Sequence, residues 1–459
     1  MSIRINTPLF ITFAFCTMIF PSTSPAQSEP YALGADISWV HQRENTGTRY
    51  AHNGQVQDML DILKDHKFNY IRLRLFANPA AIDPGVPNDA SGWNPFPYSA
   101  AGYCGLDSTI KYAKKVKGAG FKFLLDFHYS DTWADPGKQY KPMAWRSLNF
   151  AQLTEKVYEY TKESVQKFKD AGALPDMVQV GNEVVSGMMW EDGRNSGTNG
   201  WRNFATLVNA GIKGVKEVDT NILIMMHTIN ERGPDGWVNN LRTNLNNVES
   251  GAANKVDVIG LSYYPRWHGG RDSLTRVLNR IANSTAHSYK IAVVEYADYH
   301  REVNDIVWAL PESRRFGTFV WEPQEFDGDD SKPLFDWRNG RRETNSRIAA
   351  YPQMAEDYGI KEGGSTGIDK KQPGTNHKKS TVNFSVNRNG TIYYRSDIPG
   401  TATLYTIQGR VAGRFDMRTP GRYDPAKLLQ PAIRPGMYII SVESAGNTHF
   451  AATAVTGGQ

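Results

Sequence analysis

The chain of 459 residues is long enough for one large domain and one small one. Charged residues make up 22% and apolar residues 40%, as is typical of soluble globular proteins. The net charge of +5 is small, and basic residues cluster only at 370–371 and 378–379, which argues against nucleic acid as the main partner.

The N-terminus has the features of a secretory signal peptide. Arg4 supplies the positive charge, residues 9–20 form an apolar segment, and the small residues at 24–26 predict cleavage directly after them. The apolar segment is too short to span a membrane, and no later segment is long and apolar enough. We therefore expect a secreted or cell-surface protein. Cys16 would leave with the signal peptide, so Cys104 would have no partner and we expect no disulfide.

Between residues 27 and 360 the order strand, loop, helix repeats eight times. The segment 70–76, for instance, alternates apolar residues with Arg72 and Arg74. The predicted strands cover residues 33–38, 70–76, 121–128, 176–183, 222–227, 256–263, 291–295 and 317–321. Eight such units predict an α/β fold, the (β/α)8 TIM barrel. A doubly wound open sheet is the alternative, but it needs fewer strands, and the chain has no glycine-rich dinucleotide loop.

The end of the chain differs in composition from the barrel. Residues 361–380 lack aromatic residues and large apolar clusters, which predicts a linker. In residues 381–459, short alternating strands are separated by Pro-Gly turns at 399–400, 420–421 and 435–436. This segment is predicted to be a small, sandwich-like all-β module.

Two glutamates follow predicted strands on opposite sides of the barrel, since Glu183 ends the fourth strand and Glu295 the seventh. Barrel enzymes place their active sites at these carboxyl ends. Retaining hydrolysis of a glycosidic bond needs two carboxyl groups about 5–5.5 Å apart. The pair therefore predicts a retaining glycosidase. Taken singly, Glu183 could be a carboxylate at a helix N-terminus, and Glu295 a solvated strand end.

The neighbours of the pair suit two different roles. Asn182 could donate to a sugar 2-hydroxyl group. We expect Glu295 to stay ionised beside Arg72 or Arg74, and the pKa of Glu183 to be raised by the negative charge of Glu295. A structural ion pair is the alternative for both arginines. The position of Arg74, nearer the carboxyl end of its strand, favours a functional role there.

Motifs at successive strand ends run in order along residues 31–360. They are Gly34–Ser38, Arg72–Pro79, Asp126–Pro136, Gln139–Pro142, Gly181–Glu183, Gly260–Pro265, Val294–Ala297 and Trp321–Pro323. Together they resemble glycoside hydrolase family 53, the arabinogalactan endo-β-1,4-galactanases. The resemblance implies a retaining (β/α)8 hydrolase with Glu183 as acid/base and Glu295 as nucleophile. It also implies a substrate of β-1,4-linked galactose, as in pectic side chains.

The same resemblance implies further substrate-binding residues. Those matching the central sugar subsite are Arg74, His128, Asn182, Tyr263 and Trp321; His227 matches a strand-five histidine, and Asp36, Trp133 and Trp267 match less closely. Other readings exist for several of them. His227 could be structural, and His128 could join a buried polar network with Asp126. Trp321 could be a core residue or a platform for a sugar ring, whereas large apolar side chains in loops more often bind something.

The last two strand ends depart from the family pattern. Residues 296–301 and 324–330 bring charge into segments that would line the cleft, so the family's remote subsites do not carry over directly. Asp327, Asp329 and Asp330 could bind calcium, as in some members of the family. They do not form a full set of oxygen ligands, and an exposed acidic loop is the simpler reading. We expect no other cofactor.

Residues 402–411 and 434–442 resemble the sorting domains of type IX secretion, although the basic residues usual at the C-terminal end of such domains are missing from residues 453–459. This resemblance implies the secretion machinery as a partner, with the module removed or used for surface attachment. A generic β-sandwich, including a carbohydrate-binding module, is the alternative.

The leading hypothesis is a secreted, retaining endo-β-1,4-galactanase without a membrane span. One alternative is another retaining β-glycanase of the same clan, such as a mannanase or glucanase. A second is a non-hydrolytic glycan-binding surface protein. The presence of both glutamates argues against the second, because binding alone does not require them.

Overall fold

The computed structural model describes residues 30–81, 102–230, 233–325 and 331–360, together with seven strands between residues 384 and 455. The chain forms two compact units, residues 1–366 and 367–459. The boundary between them falls inside the predicted linker. That linker and the predicted signal peptide, including Cys16, lie outside the described residues.

Eight parallel strands of the first unit close into a barrel, which confirms the predicted (β/α)8 fold. In barrel order, starting from the first strand and returning to it, these are β1 (Ala32–Asp36), β10 (Arg315–Trp321), β9 (Lys290–Tyr296), β8 (Val258–Ser262), β7 (Leu223–Ile229), β6 (Met177–Val180), β5 (Lys122–Phe127) and β4 (Tyr70–Leu75). A small four-stranded sheet lies outside this barrel. Its strands, in spatial order, are β11 (Phe335–Arg338), β12 (Arg341–Thr344), β2 (Tyr50–His52) and β3 (Gln55–Gln57).

Helices connect the barrel strands. They are α1 (Val40–Asn45), α2 (Met59–Asp65), α3 (Leu106–Gly118), α4 (Phe150–Asp170), α5 (Gly200–Val218), α6 (Pro234–Val248), α7 (Pro265–His268), α8 (Arg271–Ala282), α9 (His300–Trp308) and α10 (Ala350–Asp357). Short 3-10 turns cover Met143–Trp145, Val184–Ser186, Ala252–Lys255 and Ser346–Ala349. Within the described ranges, no helix has the length and apolar character needed to cross a membrane.

Local sequence signals explain where the longer helices lie. Helix α4 begins at a capping box, in which Asn149 accepts from the backbone of Gln152 and the Gln152 side chain accepts from the backbone of Asn149. Helix α5 buries the apolar stripe predicted from its sequence, including Phe204 and Leu207. Gly211 allows this helix close to the barrel, because a Cβ there would lie 2.8 Å from Val180.

The interior of the barrel contains two kinds of side chain, because alternate residues of each strand point inward. The lower layers are apolar and include Ala32, Tyr70, Leu124, Met177, Met225, Val258, Ala292, Val294, Phe316 and Phe319. Gly34 leaves room for this packing, since a Cβ there would meet the Phe319 ring at 2.3 Å. The inward positions nearer the carboxyl ends are polar, and they form the site described below.

The described strands of the second unit form two antiparallel sheets, in agreement with the predicted all-β character. One contains β13 (Phe384–Val386), β14 (Ile392–Tyr394) and β17 (Gly421–Tyr423). The other has the order β16 (Val411–Met417), β15 (Gly400–Thr406), β18 (Gly436–Ser444) and β19 (Asn447–Val455).

Candidate active site

The polar upper layer of the barrel brings together side chains from seven strand ends. Its buried members are Asp36, Arg72, Arg74, Asp126, His128, Gln179, Asn182, His227, Ser262 and Glu295. Strand alternation and the family resemblance together indicated most of these residues. Because the site is closed below by apolar side chains, its charges must be balanced among themselves.

Arg72 is the centre of this layer. Its guanidinium has five N–H donors, and each has an acceptor between 2.8 and 3.2 Å away. The acceptors are Asp36, Asp126, Gln179, Asn182 and Glu295. The sequence left Arg72 balanced between a structural and a functional role and favoured Arg74. In the structure, Arg72 rather than Arg74 contacts Glu295.

Glu295 lies at the end of β9 and is 7% exposed. Besides the bond from Arg72 at 2.8 Å, it accepts from the hydroxyl groups of Tyr264 at 3.3 Å and Ser262 at 3.5 Å. Burial raises the pKa of Glu295, and the charge of Arg72 opposes that rise. A bulge in β9 at Val294 places Glu295 opposite Ser262, so both residues face the barrel mouth.

Glu183 follows β6 through a turn rather than as part of the strand. Its backbone is left-handed, with φ of 47°, and Gly181 before it has φ of 89°. The turn is held by His227, whose Nδ1 accepts the Glu183 N–H at 3.2 Å, and by Gln139, which donates to the Asn182 carbonyl at 2.8 Å.

The electrostatic coupling predicted between the two glutamates is present in the structure. Burial and the negative charge of Glu295 raise the pKa of Glu183 well above its ordinary value, and a hydrogen bond with Ser262 opposes the shift. Burial is the larger cause, which the sequence could not indicate. This environment favours the protonated form of Glu183, the form that a general acid requires.

Three residues predicted to bind substrate also make close polar contacts within the protein. Asn182 donates to the Ala134 carbonyl at 2.8 Å and accepts from Arg72. His128 contacts Asp126 at 3.1 Å, in the buried network that was the alternative reading. Asp36 accepts from the Ser38 hydroxyl at 2.6 Å and from Arg72 at 2.8 Å.

His227 is fully buried and lies between the two glutamates. Its Nε2 is 2.9 Å from the hydroxyl of Ser262, which is itself a neighbour of Glu295. Burial lowers the pKa of His227 well below its ordinary value, so the ring is neutral. These contacts favour the structural reading of His227, as a support for the turn that carries Glu183.

Tyr263 and Tyr264 differ in their relation to the site. The hydroxyl group of Tyr263 is buried and has no hydrogen-bond partner in the described part of the chain. Tyr264, which the sequence did not single out, donates to Glu295. Only the geometry of the turn after β8 distinguishes the two neighbours. The exposed Trp267 stands beyond them in α7, 5.1 Å from the Arg266 guanidinium.

Three half-buried tryptophans form an aromatic cluster at the barrel mouth. The ring centroids of Trp39 lie 5.9 Å from Trp133 and 5.6 Å from Trp321. The guanidinium of Arg74 lies 4.9 Å from the Trp39 ring and 4.5 Å from the Trp133 ring. Trp39 and Glu322, which binds Arg74 at 2.7 Å, were not predicted as site residues. Such a cluster offers flat apolar surfaces against which sugar rings can pack.

The calcium prediction cannot be followed onto the structure, because residues 326–330 lie outside the described ranges. Among the residues that are described, no group of three or more His, Cys, Asp or Glu side chains is arranged to hold a metal ion.

A closed (β/α)8 barrel with two coupled glutamates at the carboxyl ends of its fourth and seventh strands has the arrangement of a glycoside hydrolase. Residues 32–306 match the sequence pattern of Glycosyl hydrolase family 53. The chain belongs to this family, as the motif order predicted.

Relatives and solved structures agree with this membership. The chain is 40% identical over 277 residues to an uncharacterised Niallia circulans protein, covering 59% of this chain and 68% of the relative. It is 35% identical over 283 residues to the endo-β-1,4-galactanase of Bacillus subtilis, covering 61% of this chain and 59% of that protein. The chain thus spans about three fifths of the Bacillus relative's length. The GH53 catalytic domain of Ignisphaera aggregans superposes with a TM-score of 0.58 at 28% identity, over 71% of this chain and 96% of that domain.

Proposed function

We propose that the chain is a retaining endo-β-1,4-galactanase that hydrolyses internal bonds of β-1,4-linked galactan. The observation that carries this proposal is the coupling of Glu183 and Glu295 on one buried polar layer centred on Arg72. Membership in the family and the galactanase names of its relatives support the substrate.

In the first step, an oxygen of Glu295 attacks the anomeric carbon while Glu183 donates its proton to the leaving glycosidic oxygen. A galactosyl ester forms on Glu295, and the shortened chain leaves with its new hydroxyl group. Arg72 and Tyr264 orient the attacking carboxylate through their bonds of 2.8 and 3.3 Å. The charge of Arg72 also favours the ionised form of Glu295, because it opposes the rise in pKa that burial causes.

Formation of the ester prepares the second step. Once Glu295 carries the sugar, its negative charge is gone, and with it one cause of the raised pKa of Glu183. Glu183 has just lost its proton and is now better able to remain ionised. It removes a proton from water, which attacks the anomeric carbon from the side the leaving group occupied. Two displacements at this carbon retain its configuration.

A panel of linear galactan, mannan, xylan and cellulose tests the substrate. We expect new reducing ends from galactan and none above background from the other three. Cleavage of mannan or cellulose with galactan left intact would favour another β-glycanase of the clan. Binding of glycan without cleavage of any of the four would indicate a glycan-binding protein.

Azide distinguishes the roles of the two glutamates. With Glu295→Ala, hydrolysis should stop, and azide should enter the vacated side to give a sugar azide of inverted configuration. With Glu183→Ala, azide should attack the ester intermediate and give a product of retained configuration. The opposite pair of products would exchange the two assignments.

We also propose export to the cell surface or medium, with the second unit acting as a sorting module for type IX secretion. The sequence resemblance at residues 402–411 and 434–442 supports this proposal, as does the apolar segment at 9–20. The intact mass of the exported protein tests it, since a sorting module is removed or anchors the enzyme. A full-length soluble product that binds polysaccharide through the second unit would favour a carbohydrate-binding module.

A further inference from the structure

Glu322 is a buried carboxyl group that the proposed mechanism does not use. It follows Trp321 directly at the end of β10 and is fully buried. Its backbone is left-handed, with φ of 40°, a conformation that is unfavourable for a non-glycine residue. Such a conformation persists only where surrounding contacts impose it, so the contacts of Glu322 need an explanation.

Among the described residues, the hydrogen-bond partners of the Glu322 carboxyl group are all donors. Arg74 Nη1 lies 2.7 Å from Oε1, and the amide of Gln324 lies 2.6 Å from Oε2. The backbone N–H of Trp39 points between the two oxygens, at 3.2 and 3.4 Å. Glu322 thus joins the end of β10 to Arg74 on β4 and to the segment after β1.

Two of these partners are linked to the aromatic cluster at the mouth, Trp39 as a member and Arg74 through its contacts with two of the rings. Trp39 contributes one ring of the cluster, and its backbone is the part bound by Glu322. Arg74 lies against the rings of both Trp39 and Trp133. The third ring, Trp321, is the residue that precedes Glu322 in the chain. The carboxyl group therefore binds the Trp39 backbone directly and reaches the Trp39 and Trp133 rings through Arg74, and the chain itself joins it to Trp321.

We propose that Glu322 is a positioning residue that orients the tryptophan cluster and thereby sets the affinity for the sugar units bound there. The inference rests on the proposed galactanase function. Glu322 does not touch the reacting atoms in this arrangement, since its partners are Arg74, Trp39 and Gln324. Its effect therefore falls on binding of galactan and not on the chemical step.

Glu322→Gln tests the proposal with little change in size. Glutamine would keep one acceptor but would place an amide among groups that all donate, so Arg74 and Trp39 would lose their common anchor. On linear galactan, we expect KM to rise roughly tenfold, the loss that corresponds to one charged hydrogen bond, with kcat within about twofold of wild type. The Kd for galactohexaose, measured by tryptophan fluorescence, should rise by the same factor.

Glu343→Gln is the matched control. Glu343 also accepts from one arginine, Arg341 at 3.1 Å, and from one backbone N–H, that of Gly54 at 2.7 Å. It lies on β12, outside the barrel layer that carries the site. We expect this variant to lose a similar amount of thermal stability and to keep the wild-type KM. A rise in KM in both variants would mean that KM follows general loosening of the fold, and the proposal would be wrong.

Arg74→Lys provides a second route if Glu322→Gln does not fold. Lysine keeps the positive charge for Glu322 but lacks the planar group that lies against Trp39 and Trp133. KM should rise as in Glu322→Gln. The KM of the double variant should be little higher than that of either single variant, because both substitutions break the same link between Glu322, Arg74 and the tryptophan rings. The proposal would be overturned if the single variants folded like wild type and kept its KM. It would also be overturned if their effects on KM were additive in the double variant. Wild-type protein that does not cleave galactan would instead refute the proposed function.

Discussion

Replacing Arg72 by lysine tests the claim that Arg72 organises the site. Lysine keeps the charge but offers three N–H donors, whereas arginine uses all five. At least two of the five acceptors then lose their donor. We expect the bond to Glu295 to be the one most easily lost. Glu295 competes with two other carboxylates, Asp36 and Asp126, for the single positive charge.

The size of the effect follows from the contact distances. At 2.8 Å, the Arg72–Glu295 attraction is roughly 6 kcal/mol before the cost of desolvation is counted, with an effective dielectric constant of about 20. Each lost hydrogen bond to a charged group costs about 1.5–3 kcal/mol. Two such losses give about 3–6 kcal/mol, a large part of a typical unfolding free energy of about 5–15 kcal/mol. We expect kcat to fall at least about tenfold as Glu295 loses its orientation.

Urea unfolding followed by fluorescence gives the stability change, and reducing-end assays on galactan give kcat. Arg314→Lys is the control, because the Arg314 guanidinium also makes five contacts but lies before β10, at the opposite end of the barrel. Its acceptors are the carbonyl groups of Ile281, Ser284, His287 and Tyr289 and the ring of His287. The control should lose stability and keep kcat. Full activity in Arg72→Lys, or an equal loss of kcat in Arg314→Lys, would refute the role assigned to Arg72.

Three further results follow from the same geometry. Tyr264→Phe removes a donor to Glu295 and should lower kcat about tenfold, whereas Tyr263→Phe should change kcat by less than about twofold. A larger loss of kcat in Tyr263→Phe than in Tyr264→Phe would refute the role assigned to Tyr264. Glu295→Gln removes the charge that raises the pKa of Glu183, so carbon-13 NMR should show Glu183 titrating at lower pH than in wild type, and an unchanged value would mean that the two groups are not coupled. Gly34→Ala should destabilise the fold by about 1–3 kcal/mol in urea unfolding, because its Cβ would lie 2.3 Å from a phenylalanine ring in the barrel, and an unchanged midpoint would show that the ring can move aside.

Much of the polar layer could be predicted because a strand alternates its side chains with a period of two. Arg72 and Arg74 share the inward face of β4; Asp126 lies beside Arg74 on β5, and His128 follows two residues later, just past the strand end. Apolar residues at the intervening positions pack under the helices. The eight repeated strand–helix units predicted a barrel, in which the inward faces of all strands surround one axis. The sequence therefore predicted that the site lies at the carboxyl ends of the strands.

Strand alternation alone does not describe the site where the backbone leaves regular geometry. Strict alternation from Ala292 puts Val294 inside the barrel and Glu295 outside, but the bulge in β9 turns both inward. Tyr263 was named through the family resemblance, whereas the strand pattern says nothing of Tyr263 or Tyr264, because β8 ends at Ser262. Beyond that residue the chain turns towards α7, and alternation no longer applies.

The aromatic cluster was only partly visible in the sequence for a different reason. Trp133 and Trp321 were identified through the family resemblance, whereas Trp39 comes from the segment between β1 and α1, which shows no periodic pattern. Its position depends on a long-range bond between its backbone N–H and Glu322, nearly 300 residues later, at 3.2 Å. No local pattern encodes a contact of that kind.

Irregular backbone at Glu183, Glu295 and Glu322 has a common consequence. A regular parallel barrel presents its inward side chains in layers, with each strand end pointing along the axis. A left-handed residue at 183, a bulge at 294 and a left-handed residue at 322 each redirect a carboxyl group from that regular direction. Two of these groups thereby come close enough to affect each other's protonation, and the third reaches the arginine beneath the tryptophans. The rigid apolar layers below can sustain this local strain, because their packing does not depend on where the three carboxyl groups point.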